Sequence, residues 1–262
     1  MAVVRLLSRT WPKQNLLFYH SRHIAPSTKP PSECNNVRTF EDVMNYYGIQ
    51  KWGFVIYRGT YDDDVKWRQF IDFMALRTRH ELEASGGAHL ASKFDWNVQE
   101  DRSLEGATTS EIRERFKNWV AANAADEILP IGKSRGRDPL ARSPYDVNAR
   151  FNFCMYVDSA SMNSVLRDRE VYNSRYTMEH GGGYVILIER AWKIPSLEEL
   201  DDEREDPWDE GEKELEGSKL YEVGWTKVRS CNAVPLIFFQ LCNVGGWELI
   251  YLRPCMGIQE FT

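Results

Sequence analysis

Arg58 carries the sharpest chemical demand in this chain. It closes the apolar run Trp52-Gly53-Phe54-Val55-Ile56-Tyr57, and a guanidinium there must find anionic or carbonyl partners wherever that run is buried. Two readings stay open: an internal ion pair with Asp62, Asp63 or Asp64 that fixes the following turn, or a fork that holds a substrate carboxylate or phosphate. Four other residues have types suited to chemistry: Tyr61, Tyr156, Asp158 and His180. In the catalytic reading Arg58 orients an anionic or carbonyl group, Asp158 or His180 moves a proton, and Tyr61 and Tyr156 donate hydrogen bonds. Against it, His180 beside Gly181-Gly182-Gly183 also fits a plain exposed loop.

Other chemistries find little to stand on. His20, His23, His80, His89 and His180 are all the histidines, and only His20 and His23, near the N-terminus, are close in sequence, so no metal site is expected. The D-x-[DN]-x-[DN]-G calcium pattern is absent. The triple glycine precedes a strand pattern, whereas phosphate-cradling loops precede a helix, so no nucleotide cofactor is expected either. The five cysteines, Cys34, Cys154, Cys231, Cys242 and Cys255, are odd in number and contain no C-x-x-C pair, which suits a reducing compartment. Cys154 reads as a small apolar packing residue.

The elements that would position these groups begin with a helix capped by Thr39 and ended by Gly48, with Phe40, Val43, Met44 and Tyr47 on one face. Residues 52–61 read as the best strand. The three aspartates suit the start of the next helix, whose stripe is Trp67, Phe70, Ile71 and Met74, with Arg77, Arg79 and His80 near its cation-favouring end. A weaker strand over 94–102 precedes a helix opened by the Thr108/Glu111 capping box, with Ile112, Phe116, Trp119 and Val120 on one side. Residues 151–158 alternate as a strand with one buried face, and Asp158 or Ser159 can cap a short helix after it. Strands are expected at 184–192, 221–228 and 247–252, while the type of 234–241 stays open. So strand-rich a second half cannot be wired by helical crossovers alone. The expected class is α+β, an antiparallel or mixed sheet with helices packed on one side, as a single domain over residues 39–262.

Charge is unevenly placed. Residues 198–216 hold twelve of the 39 acids with only Arg204 and Lys213, and without them 27 acids face 31 bases, so no nucleic-acid partner is expected. This stretch reads as a solvated acidic loop, residues 196–217. The first 32 residues contain no acid but five Lys and Arg, which makes 1–38 a basic N-terminal arm. That composition fits a mitochondrial presequence or a plain basic extension, so the expected location is cytoplasmic with a mitochondrial alternative. No apolar run approaches the length of a membrane span. Nine tryptophans, twelve tyrosines and twelve phenylalanines could line a pocket as well as fill a core.

The segment Trp52-Gly53-Phe54-Val55-Ile56-Tyr57-Arg58-Gly59-Thr60-Tyr61 with Asp63-Asp64 and Trp67 resembles a set of uncharacterised filamentous-fungal proteins sharing W-G-F-V-I-Y-R-x-T-Y-x-D-D-x-x-W. The likeness extends to Tyr156-Val157-Asp158, the acidic loop and Tyr221-Glu222-Val223-Gly224-Trp225, covering most of residues 40 to 253. Glycine often follows the second tyrosine in that pattern, where Asp62 stands here. The family brings no activity with it. Tyr57-Arg58-Gly59 also looks like the first motif of ADP-ribosyltransferases. Their further strand and glutamate pair have weak counterparts here, since Thr108-Thr109-Ser110 is explained as a helix cap and Glu210 and Glu212 fall in the acidic loop. The leading expectation is a protein that binds a small organic molecule in an aromatic pocket, extended to a cofactor-independent enzyme of fungal specialised metabolism. The rival is a noncatalytic module that docks a protein partner through its acidic loop or basic arm.

Overall fold

The computed structural model describes residues 36–131, 142–175, 182–194, 214–216 and 218–258. Residues 1–35 of the basic arm, His180 and most of the acidic loop lie outside the described residues, while Val37 and Arg38, expected as part of that arm, belong to the first helix. Helix α1, Val37–Tyr47, is opened by Asn36, whose side chain accepts from the Thr39 amide while Thr39 Oγ1 accepts from the Asn36 amide. Thr39 thus completes a capping box from the third helical position instead of starting the helix. Gly48 ends it with φ 63°, a left-handed turn that glycine adopts without steric cost.

Strand β1, Val55–Arg58, is buried throughout, and Asp63 caps α2, Asp64–Ala84, by accepting from the Val65 and Lys66 amides at 2.9 Å. Strand β2, Asn97–Gln99, and helix α3, Thr109–Asn123, follow, the latter opened by the expected Thr108/Glu111 box. A short helix, α4, Ala149–Asn152, leads into β3, Phe153–Val157. Helix α5, Ser159–Arg175, and strands β4, Tyr184–Glu189, and β5, Trp225–Arg229, complete the regular elements of the sheet layer. Helical turns at Ala233–Ile237, Phe238–Gln240 and Gly246–Ile250 close the described chain.

The strands form one mixed sheet in the order β2-β1-β3-β4-β5. β1 runs parallel to both neighbours, with Val55 opposite Asn97 and Cys154, and the β3, β4 and β5 pairings are antiparallel. The parallel pairs require crossovers, supplied by α2 between β1 and β2 and by α3 between β2 and β3. This is the mixed-sheet α+β body that the element order predicts.

Helices cover both faces of the sheet, not one. Phe54, Ile56, Phe153, Met155, Val157, Val185, Leu187 and Val228 face α1, α2, α5 and the C-terminal turns. Val55, Tyr57, Cys154, Tyr156, Ile186 and Ile188 face α3 with its Ile112, Phe116, Trp119 and Val120. β3 is therefore buried at all five residues, where the alternation of polar and apolar residues predicted one buried face; Cys154 and Tyr156 pack under α3. At roughly 1.5–3 kcal/mol per fully buried apolar side chain, these two layers supply most of the folding drive. Residues 247–252, expected as a strand, instead form a helical turn, because Trp247, Ile250 and Tyr251 recur at helical spacing and pack on the sheet.

Arg150 of α4 is fully buried. Its Nε and Nη2 donate to the two Glu127 carboxylate oxygens at 2.7 and 3.1 Å, Nη2 to Asp95 Oδ2 at 2.7 Å, and Nη1 to the carbonyls of Gly53 and Asp95 at 2.8 Å each. Gly53 adopts φ 103°, and a Cβ there would sit 2.9 Å from the Phe94 ring. Arg150→Met leaves the buried Glu127 carboxylate with only the half-exposed Lys51 beside it and removes the donors to two backbone carbonyls, and is expected to cost about 3–5 kcal/mol in urea unfolding. A loss under about 1 kcal/mol would contradict the network's role.

Candidate functional site

The carboxyl ends of β1 and β2 feed helices on opposite faces, the topology that opens a crevice in doubly wound sheets. Arg58 stands there, 4% exposed. Its Nε donates to the Thr60 carbonyl at 2.7 Å, Nη2 to Asp64 Oδ1 at 2.5 Å, and Nη1 lies 3.6 Å from Glu100 Oε1. The guanidinium carbon sits 4.4 Å from the centroid of Tyr61 and 5.1 Å from that of Trp67, and Trp67 Nε1 donates to Glu100. Of the two readings of Arg58, this geometry supports the internal ion pair. The hydrogen bond and charge of Arg58 hold the exposed Asp64 carboxyl below the usual carboxylate range.

Tyr61, Tyr156 and Asp158 reach the same edge of the sheet, each with an internal partner. The Tyr61 hydroxyl accepts from the Asp101 amide at 2.6 Å, and burial pushes its phenol up. The Tyr156 hydroxyl donates to the Ala107 carbonyl at 2.8 Å, and its phenol is pushed up to about 12, by burial first and then by the charge of Asp158. Asp158 caps α5, its Oδ1 accepting from the Ser161 amide at 2.7 Å. Thus Arg58 and Tyr61 are in contact, Tyr156 and Asp158 lie close by, and His180 falls outside the described residues. The end of the acidic stretch also comes to this side, where Glu216 accepts from the amide and the hydroxyl of Thr109 in the first turn of α3.

A cleft of about 610 Å³ opens elsewhere, between the start of α1, the end of α2 and the turn at residues 231–239. Its apolar wall includes Val37, Pro235, Leu236 and Phe239, and its polar groups include Arg77 and Glu81. Arg77 is 5% exposed, yet its Nε has no hydrogen-bond partner and no carboxylate pairs with it among the described residues. Its one described contact is with the Phe73 ring, 5.5 Å from the guanidinium carbon. At the rim, Glu41 is already taken by His89 at 3.1 Å. From sequence Arg77 reads as a helix-end cation and not as a site residue. The available signal was its spacing: three residues after Met74 and seven after Phe70, it continues the buried stripe. The aromatic side chains meanwhile serve largely as core, as in the contacts among Phe40, Trp52, Phe94, Phe238 and Phe239.

At the end of β4, Glu189 shares a hydrogen bond with Glu222, whose Oε1 also accepts from Trp247 Nε1 at 2.6 Å. Burial, then the neighbouring Glu222 charge, raises the Glu189 carboxyl from 4.5 to about 7. The folded chain therefore holds an extra proton between those values, so this contribution is complete below about 4.5 and lost as pH rises through about 7. Glu189→Gln is expected to remove a decline on the order of 1–2 kcal/mol, read from urea midpoints between pH 5 and 8. An unchanged slope in the variant would refute the assignment. Among the described residues, no helix is long and apolar enough to cross a membrane and no cluster of three metal-ligating side chains occurs. Comparison with protein-family models, with curated proteins and with solved structures finds no match to this chain.

Proposed function

We propose that this protein binds a small organic molecule in the cleft between α1, α2 and the turn at residues 231–239, with an anionic group of the ligand on Arg77. The reading moves the expected small-molecule site from Arg58 to Arg77. One contrast carries it. Arg58 already donates to a carbonyl and a carboxylate with a second carboxylate nearby, whereas Arg77 is as deeply buried and has neither. A buried cation without a counter-charge is costly, and a ligand carboxylate or phosphate would offset that cost through paired, charge-assisted hydrogen bonds. The cleft volume lies in the range typical of small-molecule sites, and its mixed lining suits a ligand with one charged end and an apolar body.

Thermal unfolding of the full chain against matched organic acids and their neutral amides tests this. The acids are expected to raise the melting temperature, since a ligand at 100 times its Kd adds about 2.7 kcal/mol of stability. Arg77→Met is expected to fold and to lose that response. Equal stabilisation by the amides, or an undiminished response in Arg77→Met, would refute the proposal.

A further inference from the structure

Arg77 and Glu81 lie one turn apart on α2 and both line the cleft, yet they form no ion pair. Helix geometry explains the separation. The Arg77 side chain leans back over the Phe73 ring, toward the N-terminus of α2, and so away from Glu81. An arginine placed four residues before a glutamate is also the weaker order for such a pair. Arg77 and Glu81 thus face one cavity as opposite charges that do not pair, with the exposed Arg38 also in its lining. The Glu81 carboxylate has no partner among the described residues, while the cleft's other acid, Glu41, is engaged by His89.

A bare organic anion would satisfy Arg77 and bring its charge close to Glu81. A molecule carrying both signs satisfies both. The two side chains leave the helix one turn apart and diverge, so the carboxylate and ammonium groups of one small ligand would sit between their charged ends in the cleft that both line. The apolar wall of Val37, Pro235, Leu236 and Phe239 then receives an uncharged side chain. Resting on the cleft reading above, we propose that the ligand class is a free amino acid with an apolar side chain. Its carboxylate pairs with Arg77 and its ammonium with Glu81.

Calorimetric titration of the full chain with L-leucine, L-methionine and L-phenylalanine, beside 4-methylpentanoate, 3-phenylpropanoate and phenethylamine, tests the proposal. At least one amino acid is expected to bind ten or more times more tightly than the acid lacking the amino group, and phenethylamine not measurably. Glu81→Gln is expected to erase that advantage while leaving 3-phenylpropanoate binding unchanged or stronger, and Arg77→Met to abolish binding of both. Should Arg77→Met fail to fold, Glu81→Gln carries the test alone. If 4-methylpentanoate and 3-phenylpropanoate bind as well as the amino acids, or Glu81→Gln leaves the preference intact, the amino-acid assignment falls while the anion cleft stands. If none of the amino acids binds, this proposal falls, and binding that survives Arg77→Met in a folded variant overturns the cleft reading as well.

Discussion

The fold turns on one buried cation. Arg150 reaches from the short helix before β3 to the backbone of Gly53 ahead of β1, to both the carbonyl and the carboxylate of Asp95 ahead of β2, and to Glu127 after α3. Three of these four segments lead into the parallel half of the sheet, so a single side chain fixes where three strands begin. Lys51 adds a more exposed charge near the same carboxylates, 3.5 Å from Asp95 and 3.9 Å from Glu127. Charge taken out of water this completely stabilises only when every partner is in place, so the network specifies a geometry more than it adds net stability.

The arginines divide by how their donors are used. Arg113 spans from α3 to the carbonyls of Glu189 and Gly224, with the Trp192 ring 4.8 Å from its guanidinium carbon. Arg58 is held between two aromatic rings and two carboxylates. Both join segments distant in sequence or close a turn, and in both the guanidinium is taken up by the protein itself. Arg77 differs because it lines a cleft with its Nε unbonded and no carboxylate paired to it among the described residues. Burial alone therefore does not distinguish Arg77 from these arginines; the absence of a paired carboxylate does.

Local features were legible in the chain because their causes are local. Asp63 and Thr108 cap helices through atoms two or three residues away, and the β-branched and aromatic run at residues 52–61 contains β1. What sequence could not reveal depends on partners far along the chain. The second buried face of β3 exists because α3 crosses behind the sheet, and nothing in Phe153–Val157 announces that. Residues 247–252 read as a strand because five of the six are apolar, and so short a run cannot separate the two periods. Arg58 reads from sequence as a cation needing partners, while the Asp64 and Glu100 carboxylates that surround it become visible only in the folded chain. Arg77 was visible in the buried stripe but ambiguous, since a cation near a helix end has an ordinary electrostatic reason to be there.

The sheet's two outer margins are both poor templates for another chain. β2 offers only three residues, and β5 carries Lys227 and Arg229 among five. Beyond β5, the Thr226 hydroxyl donates to the Leu252 carbonyl and accepts from the Leu252 amide, so the returning chain claims part of that border. Short, charged or occupied borders of this kind disfavour intermolecular strand addition, the route by which exposed sheets aggregate. In a chain so rich in aromatic residues, both described margins of the sheet thus disfavour the addition of a foreign strand.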